Sequence, residues 1–276
     1  MSRTALVIGA AGGVGTEVVK SLLGAGYRTI GSVLNEAEET QVRSVTPGVS
    51  QIFRLDLSDA DSVLAELKRK AFASLDAVVI CAAISPFGPV ETGSLAALRR
   101  TFEINTVSAA AIYQGCMPAL RATKGRLVMI SSFAGKIGLP FIGHYVASKH
   151  ALEGLGDVMR RESKASGVHI ALVEPGGINT PMVANQVRDV ARERAALPAA
   201  TAAQYGGMYD NFLRLVKKSQ GGMLEPSVVA KTVMEALTSS APQIRYQVGE
   251  DSKFLCDIAR KTDAEVEAVV DGFWNG

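Results

Sequence analysis

The chain has 276 residues, 47% of them hydrophobic and 20% charged, the balance of an ordinary globular protein at a length near the upper limit for one hydrophobic core. A formal charge of only +2 with no long basic run argues against nucleic acid as a partner. Three cysteines (Cys81, Cys116, Cys256) and three histidines (His144, His150, His169) fall in no metal-ligand spacing, which argues against a catalytic metal and for free thiols in a reducing compartment. With no signal-peptide pattern and no apolar window of membrane length, a soluble cytoplasmic protein is expected.

The first strand, Ala5 to Ile8, runs straight into GAAGGVG at 9–15, ahead of a helix expected over Thr16 to Leu23. Glycines at 9, 13 and 15 suit a tight turn in which a pyrophosphate lies against bare backbone N–H groups at a helix N-terminus, so a dinucleotide is favoured over a plain turn. The second strand, Tyr27 to Leu34, ends on Val33 and Leu34, neither an acid to bond the adenosine ribose nor an arginine to take a 2′-phosphate. Ser32 and Asn35 are the only neutral polar groups nearby. The choice between NAD and NADP is open there, with a slight lean to NADP because no acid at 33 or 34 repels its phosphate. The third strand, Gln51 to Leu55, ends at Asp56, which is free to meet the adenine, while Ser58 and Asp61 form a capping-box pattern for a helix Asp59 to Lys70. The fourth, Asp76 to Ala82, is a continuous apolar run of the kind buried on both faces.

One long helical stretch, Leu95 to Leu120, then carries Asn105 among Phe102, Ile104, Val107 and Ile112, where an amide needs hydrogen-bond partners. The strand Arg126 to Ser131 delivers Ser132 to the carboxyl edge of the sheet. A Gly/Pro-rich loop, Gly135 to Gly143, follows, and a helix opens with Tyr145 and Lys149. These two are i,i+4 neighbours whose heads can approach one ligand, and an ammonium beside a phenol moves its pKa down from about 10 toward the working range. A serine that holds an oxygen, with that tyrosine and lysine, suits proton transfer on and off an alcohol beside a bound cofactor. The strand Val168 to Glu174 turns at Pro175, Gly176 and Gly177, where Ile178 and Thr180 can touch a ligand. The Ala-rich, charge-dotted stretch 181–222 is expected to form one or two short helices as a lid. A helix Pro226 to Thr238, a strand Ile244 to Val248 and a helical tail close the chain. The βα alternation predicts an α/β, Rossmann-like doubly wound parallel sheet of about seven strands with helices on both faces, in a single domain spanning 1–276.

Taken together, GAAGGVG at 9–15, LDLS at 55–58, FEIN at 102–105, ISS at 130–132, YVASK at 145–149 and PGGINT at 175–180 resemble, in order and spacing, the short-chain dehydrogenase/reductase family over nearly the whole chain. The resemblance implies an enzyme transferring hydride between NAD(P)(H) and an alcohol or ketone. Ser132 would orient the substrate oxygen and Tyr145 act as acid/base. Lys149 would lower the tyrosine pKa and bind the nicotinamide ribose, and Asn105 would hold a water linking Lys149 to solvent. It further implies that Gly9, Gly13, Val14 and Gly15 cradle the pyrophosphate, that Asp56, Leu57, Ala82 and Ala83 line the adenosine, and that Pro175, Gly176, Ile178 and Thr180 meet the nicotinamide. Two departures stand out. Ile8 replaces the family's usual threonine, and Ile80, Cys81, Ala82 and Ala83 replace an Asn-Asn-Ala-Gly turn, removing the polar contacts that brace it. EPGGINTPM, SSFAGKIG and RYQVG look like the branch acting on bulky apolar alcohols and ketones, such as steroid and retinoid dehydrogenases, so a small apolar secondary alcohol or ketone is the expected substrate.

Two other readings are weaker. A sugar-nucleotide epimerase or dehydratase shares Tyr-x-x-x-Lys but usually has a larger C-terminal domain. A dinucleotide-sensing regulator would be expected to have lost one of Asn105, Ser132, Tyr145 or Lys149, and all are present. In the family the helices bearing Asn105 and Tyr145 pair between subunits. Here they carry Ala109, Ala110, Ala147, Ala151 and Gly154, so a homodimer or homotetramer is expected.

Overall fold

A computed structural model describes residues 3–275. The apolar runs form seven strands: β1 (Thr4–Ile8), β2 (Arg28–Val33), β3 (Gln51–Arg54), β4 (Ala77–Ile80), β5 (Arg126–Ile130), β6 (His169–Pro175) and β7 (Arg245–Val248). They make one sheet in the order β3-β2-β1-β4-β5-β6-β7, parallel at every pairing. Strand direction and order together put the topological switch point between β1 and β4, where an open α/β sheet leaves a crevice at its carboxyl edge.

The strands read as unbroken apolar runs because each side of the pleat has its own core to fill. Leu6 and Ile8 of β1, Leu127 and Met129 of β5, and Ile170 and Leu172 of β6 point to one face. Ala5, Val7, Val128, Ala171 and Val173 point to the other. Helices α3 (Ala60–Lys70), α5 (Ser108–Thr123) and α6 (Gly143–Ser163) cover the first face, and α1 (Gly13–Gly24), α2 (Glu36–Val45) and α9 (Pro226–Thr238) the second. At roughly 1.5–3 kcal/mol for each fully buried branched side chain, these two layers carry most of the fold's stability.

Local details depart from the sequence expectations in four places. Helix α1 begins at Gly13, inside the glycine motif, so the motif's last residues are the helix's first turn. Helix α3 is capped by Asp59, whose carboxylate accepts from the Asp61 and Ser62 amides at 3.1 and 3.2 Å, and Ser58 instead donates its amide to Asp56. The long helical stretch is broken into α4 (Leu95–Phe102), a π-helical turn over Glu103–Val107, and α5. The stretch 181–222, expected as one or two short helices, holds two substantial ones, α7 (Pro181–Ala196) and α8 (Ala199–Ser219). Two final helices, α10 (Glu250–Ile258) and α11 (Asp263–Asn275), complete the chain. Helices α7, α8 and α11 pack around a third, separate core of Phe141, Val190, Tyr209, Phe212 and Trp274. No helix among the described residues is long and apolar enough to cross a membrane.

Candidate active site

The carboxyl edge of the sheet opens into a cavity of about 890 Å³ whose wall contains Gly9, Gly13, Val14, Gly15, Asp56, Leu57, Ala82, Ala83, Ser132, Tyr145, Lys149, Pro175, Gly176, Ile178 and Thr180. Of the residues given a catalytic or cofactor role from the sequence, Asn105 alone stands outside that wall.

At one end the cavity is floored by backbone. Gly9 has φ +81°, and a Cβ there would lie 2.7 Å from the Ala82 Cβ, while a Cβ on Gly15 would lie 2.0 Å from the Gly9 carbonyl oxygen. Side chains are therefore excluded at both positions, and the first turn of α1 presents its amides bare, since no intrahelical carbonyl precedes them. Such a surface fits the pyrophosphate of a dinucleotide. The Gly9 amide is itself held by the Ser32 hydroxyl at 3.2 Å, a tie to β2 that makes up for the missing threonine at position 8. Asp56, exposed at the edge of the cavity, is held below the usual carboxylate range by the Ser58 amide and hydroxyl.

The turn after β4 is braced from behind. The Asn105 side chain accepts from the Ile84 amide at 2.9 Å and donates to the Ile84 carbonyl at 2.8 Å and the Ser148 hydroxyl at 3.0 Å. Both amide hydrogens are thereby committed, so a water held by this residue has only its carbonyl groups to bind. The Asn105 amide does for this turn what the family's paired asparagines were expected to do, from the π-helical turn of another element.

Ser132 follows β5 and caps a short turn, its hydroxyl accepting from the Ala134 amide at 3.1 Å. Tyr145 and Lys149 lie in the first two turns of α6. Lys149 is 2% exposed and donates to the Ile130 carbonyl at 2.7 Å, with its ammonium 5.6 Å from the Tyr145 ring centroid. The expected lowering of the phenol is not what this geometry gives. Burial pushes Tyr145 up to about 12, with the Ser132 hydroxyl beside it acting the other way. Burial also pulls Lys149 down to about 8, against the Glu153 carboxylate and Cys81. At neutral pH this leaves a protonated phenol beside a serine hydroxyl, with a charged lysine behind them, an arrangement able to give a proton to an oxygen placed between Ser132 and Tyr145.

Beyond these groups the cavity forms a chamber whose wall is mainly apolar, with Leu139, Pro140 and Ile142 of the loop before α6, Met182 and Val183 of α7, Leu215 and Val216 of α8, and Phe273 and Trp274 of α11, alongside the polar Gln186, Lys218 and Ser219. The loop carries one strained residue, Phe141 at φ +75°, a conformation costing about 1–3 kcal/mol in a bulky side chain. Its ring is locked by Tyr209 and Phe212, at 4.7 and 5.0 Å between centroids. Sequence reasoning missed the tail's part in this chamber, because the apolar spacing of a terminal helix says which face is buried and not against what. It also missed Glu38 and Gln41 of α2, which reach the cavity wall near Leu34.

A model of the short chain dehydrogenase family matches residues 3–191. Among curated proteins, the chain is 27% identical over 255 residues to the NADPH-dependent 3-dehydrocapnine reductase of Ornithobacterium rhinotracheale, covering 89% of this chain and 88% of that one. It is 30% identical over 262 residues to retinol dehydrogenase 7 of Rattus norvegicus, covering 90% and 81%. Among solved structures, a short chain dehydrogenase from Burkholderia cenocepacia J2315 in complex with NADP aligns with a TM-score of 0.75 and 19% identity over 98% of this chain and 97% of that chain, a likeness of fold.

Proposed function

Because this chain belongs to the short-chain dehydrogenase family and is an oxidoreductase by that membership, we propose that it interconverts an apolar secondary alcohol and its ketone with a nicotinamide dinucleotide. The observation that carries the reading is the joining, in one cavity, of a backbone cradle at Gly9, Gly13 and Gly15, a Ser132–Tyr145–Lys149 cluster and a mainly apolar chamber. A bound nicotinamide supplies or accepts the hydride. Ser132 holds the substrate oxygen, and Tyr145 gives that oxygen a proton in reduction or takes it in oxidation. Lys149, anchored on the Ile130 carbonyl, places its charge behind the phenol, and it would hold the nicotinamide ribose of a bound coenzyme. Asp56, Leu57, Ala82 and Ala83, which line the cavity, would hold the adenosine, and Pro175, Gly176, Ile178 and Thr180 the nicotinamide end.

An apolar substrate is favoured because the wall is mainly apolar: hydroxyl-rich substrates would leave polar groups unpaired against Leu139, Met182, Leu215 and Phe273, with Gln186, Lys218 and Ser219 as the few polar side chains there. The test follows reduced nicotinamide absorbance with a panel running from cyclic and long-chain ketones to sugars. Turnover confined to the apolar members is expected. A preference for sugars would overturn the substrate assignment while leaving the cofactor reading intact.

A further inference from the structure

The adenosine end of the cavity lies where β2 stops. Neither Val33 nor Leu34 carries charge, yet the helix that follows supplies one. Asn35 caps α2, its side chain accepting from the Glu38 amide at 3.0 Å, and the Glu38 side chain folds back so that Oε2 accepts from the Leu34 amide at 2.7 Å. This pair of hydrogen bonds fixes a half-buried carboxylate on the cavity wall beside Ser32, Val33 and Leu34, with Oε1 having no protein partner among the described residues.

The surrounding charges do not offset it. Glu36 and Glu39 stand in the same first turn. Arg54, which lies opposite Val33 in the β2–β3 register and is the cation a phosphate there would seek, is engaged by Glu36 at 3.3 Å and Glu39 at 3.6 Å. Arg43 is paired with Glu39 at 2.7 Å, and Arg100, across the cavity, acts on Asp56.

We propose that Glu38 makes this protein select NAD(H) over NADP(H), its carboxylate accepting from an adenosine ribose hydroxyl and repelling a 2′-phosphate. The inference rests on the dinucleotide reading above and reverses the lean drawn from positions 33 and 34. An acid five residues beyond the strand is brought back to the strand's end because the cap turns it there.

The experiment titrates NADH and NADPH separately into the purified protein by nicotinamide fluorescence, at about 20 mM and about 300 mM salt. The intact protein is expected to bind NADH at least about tenfold more tightly than NADPH, roughly 1.4 kcal/mol, with the gap narrowing at high salt. Glu38→Gln keeps an acceptor for the Leu34 amide but no charge, so it should shrink the gap about tenfold, chiefly by tightening NADPH, while its retained NADH binding reports an intact fold. Equal or tighter NADPH binding by the intact protein would overturn the proposal. So would a Glu38→Gln variant with an unchanged ratio, which would reduce Glu38 to a helix cap. Binding of neither coenzyme would bring down the dinucleotide reading itself, and this inference with it.

Discussion

Enclosure, more than the neighbouring lysine, sets the protonation of Tyr145, the proposed acid/base. Replacing it with Phe keeps the ring and removes the proton carrier, so turnover should fall by at least about 10²-fold while coenzyme binding persists, and stopped assays paired with a fluorescence titration check both halves. A phenol pushed up to about 12 stays protonated at neutral pH, so ketone reduction should vary little between about pH 5 and 7 and change as Lys149, pulled down to about 8, loses its charge. Behind the site, Glu174 is fully buried against Glu153, with Lys136 and Arg245 at 3.6 and 3.2 Å. Burial, with Glu153 adding to it, pushes its carboxyl from 4.5 up to about 7. A group with a raised folded pKa binds its proton more tightly in the native state, so its contribution is full below about pH 4.5 and is lost as pH rises through about 7. The melting temperature of Glu174→Gln, relative to the unaltered protein, should therefore rise between about pH 5 and pH 8. The Ser132, Tyr145 and Lys149 positions were legible because motif spacing survives in sequence. Their protonation was not, because burial is set by walls drawn from distant parts of the chain.

At the scale of elements, the π-helical turn between α4 and α5 is the part that sequence periodicity hides. A helical pattern from Leu95 onward reads through the turn, yet it is there that Asn105 turns inward to hold Ile84 and Ser148. Asn105→Ala leaves the Ile84 amide and carbonyl without that partner, at about 1–3 kcal/mol for each buried group stranded. Chemical denaturation should show that loss, and a weaker coenzyme affinity should accompany it because the turn after β4 slackens beside Ala82. Strands were the easiest elements to read, since burial on both faces leaves continuous apolar runs. Caps were harder: Ser58 and Asp59 are both good capping residues, and only the backbone path decides that Asp59 takes the role.

Across the whole molecule, the parallel sheet and its two flanking layers were legible in the βα alternation, whereas the strand order was not, because alternation alone leaves several orders open. The subunit surface was read less well. Ala109 is 1% exposed and belongs to this chain's own core, leaving Val107 and Val158, at 43% and 47% exposed, with Ala147 and Gly154, as the outward face of the same helices. Self-association through that face is expected in sedimentation at micromolar concentration, and Val158→Arg should weaken it; a lone 29.0 kDa species would count against it. The third core has a further consequence, for how such a protein can evolve. Phe141, Val190, Tyr209, Phe212 and Trp274 brace the chamber without joining either layer that holds the strand ends. Of these five, Val190, Tyr209, Phe212 and Trp274 lie on α7, α8 and α11, apart from the strands and from α6, so substitutions at those four are expected to alter substrate choice more than the groups at the strand ends. A lineage can drift toward new substrates at low risk to its chemistry, and laboratory selection for a new substrate should draw its first successful variants from α7, α8 and α11.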